Sequence, residues 1–219
     1  MLCSFEEGRQ DAGVQLARSS VPIVEDSGLW QHLHVEELGL EDIAVLIASV
    51  SDNHATNVLL NYIGLDKVKM FGKVLGLRHT SLLDRVRDIR ESSHEPALSV
   101  GSAEELSLLM SRIDEGTLVS GAVSERLRKW LMTGVDLSMV ASAFRLNPTA
   151  HYYADHGFLV MNKTGTDTAI RADVGSVRGA VQRLSYAVIA NWSEDRGELR
   201  DAVMDGMNSI GKVLRSVIS

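Results

Sequence analysis

Apolar residues recur every three or four positions through "EELGLEDIAVLIASVSDNHATNVLLNYIG". They place Leu40, Ile43, Ile47 and Val50 on one helical stripe and Ala55, Val58, Leu59 and Ile63 on another. The spacing predicts two helices that meet at the polar break Ser51-Asp52-Asn53. Further helical periods cover about 66–75, 103–115, with Ser102 as cap and Gly116 as stop, and 122–133. Between about Glu36 and Pro148 the pattern reads as helix and loop alone.

The period changes after Pro148. "HGFLVMNKTGT" (156–166), "TAIRADVGSV" (168–177) and "VQRLSYAVIANW" (181–192) are β-branched or alternating runs separated by turn signals such as Arg178-Gly179, which predicts three neighbouring antiparallel strands. The stretch 198–219 sets Leu199, Val203, Met207, Ile210, Leu214 and Val217 on one stripe, an amphipathic helix suited to covering that sheet. The expected fold class is therefore mixed α/β (α+β): one domain over 1–219, with a mainly helical lobe at 9–150 and three strands plus a helix at 151–219.

Composition narrows the function classes. Hydrophobic residues at 45% and charged residues at 23% fit a globular chain, and one of this length can bury roughly 70–75% of its unfolded surface. A formal charge of −7 speaks against a nucleic-acid partner. No apolar run approaches the roughly 20 residues of a membrane span, and "MLCSFEEGRQ" is acidic where an export signal would be basic, so the chain as written is expected in the cytoplasm. Cys3 is the only cysteine, which leaves no internal disulfide and no thiolate metal spacing. "HLHVEE" offers His32, His34, Glu36 and Glu37, but no second cluster completes a metal site, and surface histidines are the simpler reading. No metal or cofactor is expected.

Two short motifs carry the chemistry. Alone, Ser51-Asp52-Asn53 reads as helix capping, and Lys163-Thr164-Gly165-Thr166 as the polar end of a strand. Together, the first on a helix junction and the second closing the first strand of a late antiparallel sheet, they resemble the S-D-N and K-T-G motifs of the serine β-lactamase and penicillin-binding family, and most closely its class A-like hydrolases. The resemblance extends to "EEGRQD" near the start, to "RADVGSV" and to the final amphipathic helix. It implies a β-lactamase/transpeptidase-like fold and a small-molecule partner, a β-lactam or D-alanyl peptide, opened through an acyl-serine intermediate.

The resemblance also implies roles. Lys163 would place positive charge near the substrate carboxylate, the hydroxyls of Thr164 and Thr166 would donate to it, and the Thr166 N–H would be one oxyanion donor. Ser51 would relay a proton to the leaving nitrogen, Asn53 would bind the substrate's side-chain amide, and Asp52 would hold the loop. Gly165 would let backbone and substrate approach closely. Trp30 occupies the place of a gate beside the cleft, with ordinary packing the competing reading.

Two departures stand out. The family's nucleophile, an S-x-x-K ahead of the Ser-Asp-Asn motif, has no counterpart between Met1 and Ser51; Ser209-Ile210-Gly211-Lys212 lies in the C-terminal helix and reads as a decoy, with Ile210 on the buried stripe. The expectation is that serine and lysine fall just upstream of Met1, that any export signal lies there too, and that without that segment the chain is inactive and exposes apolar surface and an unpaired strand edge. The second departure is the missing Glu-x-x-Leu-Asn loop of class A enzymes. In "LLDRVRDIRESSHEPALSVGS" the substitutes are Asp88, Glu91 and, first, Glu95, each against the reading of a solvated charge. The alternative function is a non-catalytic module that binds β-lactams or cell-wall peptides. Oligomeric state is not encoded legibly.

Overall fold

A computed structural model describes residues 13–193 and 199–219. "EEGRQD" (6–11) and Cys3 lie outside the described residues. The chain divides between Glu105 and Leu106 into two compact units.

In the first unit, β1 (Gln15–Ala17) pairs antiparallel with β2 (Glu37–Gly39), Leu16 opposite Leu38. Helices α1 (Leu40–Val50), α2 (Asn53–Ile63) and α3 (Leu65–Val74) follow, then a second small ribbon, β3 (Ser81–Leu82) with β4 (Ser99–Val100). The helices sit where the periodicity put them. The two ribbons correct the reading of 36–150 as helix and loop alone, because strands of two or three residues are too short to show an alternation. Trp30, Ile43, Ala55 and Val58 form the buried core of this unit, with Leu16, Leu38 and Leu46 packed against it.

The second unit begins within α4 (Ala103–Asp114), capped weakly by the Ser102 hydroxyl at 3.5 Å from Glu105 N. The helix stops at Gly116, whose φ of +78° is the left-handed turn that glycine adopts without a Cβ penalty. Next come α5 (Gly121–Leu131), capped by Ser120, and a 3-10 helix at Val140–Phe144. The sheet runs β5 (Leu159–Asp167), β6 (Ile170–Arg178), β7 (Arg183–Asn191), all antiparallel in that order. β5 starts three residues later than the sequence pattern suggests. His156 and Gly157 both have positive φ, and Asp155 and Phe158 bond each other across that turn. β5 and β7 form the sheet's edges, with no further partner strand among the described residues.

Helix α6 (Arg200–Ile218) covers the face that carries Phe158, Val160 and Val177, over a core completed by Phe144 and Ile218. Burying a side chain of this size contributes about 2–3 kcal/mol. The buried positions of α6 are Met207, Gly211 and Ile218, flanked by the partly buried Val203 and Leu214. Ile210 and Val217 are exposed, which corrects their assignment to the buried stripe. The reason is Gly211. A Cβ there would stand 2.2 Å from the Val140 carbonyl oxygen, so the helix makes its closest approach at a residue that a hydropathy pattern counts as neutral. Ser209 is exposed and its hydroxyl donates to Asp205 O at 2.8 Å, a local helix bond.

Candidate active site

The Ser51-Asp52-Asn53 corner is built around one carboxylate. Asp52 is 1% exposed. Its Oδ1 accepts the Ala55 N–H at 2.8 Å, which caps α2, while Oδ2 accepts the Leu29 and Trp30 N–H groups at 2.7 and 2.8 Å. Three backbone donors on one carboxylate tie the segment before Trp30 to the start of α2. Gly28 is required for this approach: at φ +116° it carries no Cβ, and one would lie 2.4 Å from Asp52 Cγ. The rest of the segment closes round the corner, with Asn53 N donating to Ser27 O at 3.0 Å and the Ser27 hydroxyl to Val50 O at 3.0 Å. The Asn53 amide donates to Glu25 O at 3.0 Å.

Ser51 ends α1 in the left-handed region, φ 54° and ψ 44°. A non-glycine residue held there costs of order 1 kcal/mol unless its surroundings enforce it, and here the Asp52 clamp does so. Trp30 is fully buried beside Ile43 and Ala55, its indole N–H bound to Val35 O at 3.0 Å. The structure therefore makes Trp30 a core residue. The expectation of a gate fails because the Asp52 clamp draws the backbone at residues 29–30 inward.

The loop after β3 is anchored to α2 by Asn57, whose side chain donates to Val86 O at 2.9 Å and accepts from Val86 N at 3.0 Å. Asp84, buried, receives the Arg87 and Arg90 guanidinium groups at 2.8 and 2.7 Å. The Arg87 hydrogen bond is the main reason its carboxyl is held far below the usual range. Asp88 accepts the Glu25 N–H at 3.0 Å, and Glu91 and Glu95 are exposed, the Glu95 carbonyl accepting from Arg90 at 2.7 Å. Glu36 takes the Ser19 N–H at 3.0 Å and faces Arg18.

In the second unit, Lys163 and its successors sit at the far end of β5, with Gly165 and Thr166 exposed. Cross-strand register sets Thr164 opposite Asp173 and Thr166 opposite Arg171. The Lys163 ammonium donates to Thr164 O at 3.0 Å. Burial pushes its pKa down, and the negative charges of Asp136 and Asp173 counter that only in part. Asp136 opposes the same burial with hydroxyl donors, Ser138 at 2.6 Å and Thr164, and with the Lys163 charge. The net effect holds its carboxyl below the usual range. A Cβ on Gly165 would meet only the Ala172 Cβ, at an ordinary 3.6 Å, so the protein's own packing does not demand glycine there.

Asn162, Asp173 and Tyr186 are all buried on the opposite face of β5 from Lys163, and sequence reasoning passed over them. The signal was present. A lone aspartate inside the apolar "RADVGSV" is a buried charge in a strand and needs partners. Arg171, 6% exposed, donates to Asp167 O and Ile170 O at 2.6 and 2.7 Å and lies 5.8 Å over the Trp192 ring.

The sequence model of the β-lactamase enzyme family matches residues 1–216. The chain belongs to that family. Among solved structures, the β-lactamase of Sphaerobacter thermophilus is similar at 22% identity, with 98% of this chain and 77% of that one aligned and a TM-score of 0.80. PBP-A is similar at 18% identity over 98% of this chain and 74% of its own, TM-score 0.80. A β-lactamase of Burkholderia vietnamiensis follows at 17% identity, 98% and 76% coverage and TM-score 0.76. No curated protein matches the sequence. The family and the fold, β-lactamase/transpeptidase-like, are thus established, and the fold is that of a serine hydrolase family. No helix among the described residues is long and apolar enough to cross a membrane.

Proposed function

We propose that these 219 residues supply substrate-binding groups of a class A-like serine β-lactamase acting on a β-lactam or D-alanyl amide. Family membership and the two motifs support this reading, and the observation that carries it is Lys163. A cation largely removed from water at a strand end, beside an exposed Gly165-Thr166 backbone, is suited to a carboxylate ligand. In this reading Thr164 and Thr166 donate their hydroxyls to that carboxylate and Thr166 its N–H to the developing oxyanion, while Ser51 passes a proton to the leaving nitrogen. Asn53 retains one amide proton and its carbonyl for the ligand after its bond to Glu25. Asp52 keeps Ser51 and Asn53 in register. Glu95, exposed on the loop after β3, is the first choice for a deacylating carboxylate.

No S-x-x-K precedes Ser51, so this chain binds without acylating. Benzylpenicillin titrated into the 219-residue chain, with intact-mass spectrometry in parallel, tests both halves. The expected result is reversible binding, no covalent adduct, and affinity about 10-fold or more weaker in Lys163→Met, the worth of one charge-assisted hydrogen bond. An acyl adduct or turnover would overturn the inactive reading, and absence of binding would overturn the ligand assignment.

A further inference from the structure

The unpaired N–H and C=O groups of a sheet edge template another strand, so folds pair, cover or charge their edges. The two edges of this sheet differ. At β5 the chain passes alongside: a Cβ on Gly134 would lie 3.4 Å from Asn162 O, and the Asn162 amide donates to Asp136 O at 3.1 Å. β5 also carries Lys163 and Asp167. β7 lacks these protections. Its 9 residues pair with β6 in unbroken register, so it holds no bulge, and 184–190 contain no proline and no charge.

The helix over this edge has a matching side. At about 100° per residue, Ile210, Val217 and Val213 follow Leu214 and Val203 round α6, continuing its apolar arc into solvent. Ile210, Val213 and Val217 are 42%, 62% and 49% exposed. That side lies over β7, because Val203 and Leu214 pack in the same clusters as Leu184, Val188 and Ala190, and the Gln182 amide donates to Val217 O at 2.6 Å. The other side of α6 faces the 3-10 helix, where Asn208 and Arg215 donate to Ser142 Oγ and Ala143 O at 2.7 and 2.9 Å. After Arg200, every charge of α6, namely Asp201, Asp205, Lys212 and Arg215, falls on that second side. An uncharged, exposed helix side beside an open strand edge is the pattern of an interaction surface.

Its occupant must supply an apolar strand and an apolar helix side together. The residues outside the described ones do not: 194–198 are Glu-Asp-Arg-Gly-Glu, and 1–12 contain no uncharged run longer than that from Met1 to Phe5. A second copy of the chain supplies both, and the fit is self-complementary. With a two-fold axis through Ala187, two β7 strands run antiparallel with Leu184 opposite Ala190 and Tyr186 opposite Val188, at about one main-chain hydrogen bond per residue. Each Arg183 then meets an Asn191, and the two Arg183 residues stand about 27 Å apart at the strand rise, so no like charges meet. The same axis brings the two α6 helices side by side with their uncharged sides facing.

We propose that the chain forms a closed two-fold dimer through β7, which joins the two 3-stranded sheets into one, covered by two α6 helices that meet along Ile210, Val213 and Val217. The shielded β5 edges stop growth at two copies. The dimer uses none of the motif residues and stands apart from the ligand reading.

Sedimentation of the full chain from about 1 to 100 μM tests this, and a monomer–dimer equilibrium is expected in that range. Ile210→Glu would bury an unpaired carboxylate from each copy and should weaken dimerisation about 100-fold or more. The β7 amides should exchange more slowly as wild-type concentration rises and lose that dependence in the variant. Val213→Glu, at the most exposed of the three positions, repeats the test if Ile210→Glu does not fold. A wild-type chain that stays monomeric throughout overturns the proposal, as does a dimer indifferent to a folded glutamate variant, or association that runs on past two copies. No readout uses a β-lactam, so failure here is distinct from failure to bind benzylpenicillin.

Discussion

The Ser51 corner and the Lys163 strand end are held in place by different physics. At the corner a single carboxylate satisfies three backbone N–H groups, so the geometry is fixed by short, directional bonds to the main chain itself. At the strand end, Lys163 is desolvated and the negative charges of Asp136 and Asp173 offset that only in part, so its protonation depends on burial and charge in a medium that screens poorly. The first kind of site is stiff and depends on fold stability. The second is tunable, and its state depends on pH.

The comparison breaks most severely at Asp52. Asp52→Ala leaves three backbone N–H groups without their acceptor, and at about 1–3 kcal/mol each the unfolding free energy in urea should fall by about 3–5 kcal/mol. Asp52→Asn keeps one acceptor oxygen and should lose roughly half as much. Equal losses in the two variants would mean that charge, and not the count of acceptors, holds the corner.

Lys163→Met should act in the opposite sense on stability. The folded pKa of Lys163 is depressed, so between it and the ordinary lysine range the unfolded chain binds the proton that the folded chain gives up, and stability rises with pH. Thermal melts from pH 8 to about 10 should show that rise in the wild type and a flatter curve in Lys163→Met, which also loses ligand affinity. A wild-type curve already flat would place the lysine in contact with water and remove the contrast between the two regions.

Gly165→Ala gives the smallest expected change in stability, within about 0.5 kcal/mol, since its Cβ has room against Ala172. If Gly165 serves close approach of a ligand, affinity for benzylpenicillin should fall while the melting temperature holds. A loss of stability would instead assign the glycine to packing.

Much of this was legible along the chain. The helices about Ser51, the three strands and the C-terminal helix follow from apolar period, because burying a stripe or a face needs side chains at 3.6- or 2-residue spacing. The two motifs were legible as residue types in order. Asp173 was visible as a charge out of place, although not its partners. What stayed hidden depends on close approach between segments distant in sequence. Gly28 against Asp52 and Gly211 against Val140 leave no hydropathy signal, and the true buried face of α6 turns on the second.

By itself, then, the sequence determined the order of elements, the family and the chemistry on offer at Ser51, Asn53, Lys163 and Thr166. Only the tertiary structure decided how that chemistry is disposed: Trp30 as core, Asp52 clamped by three backbone donors, and Lys163 largely withdrawn from water at the strand end. The physical reason is that hydrogen-bond partners and local dielectric are properties of packing. A backbone N–H donates to whichever acceptor the fold places nearest, and no spacing along the chain encodes that choice.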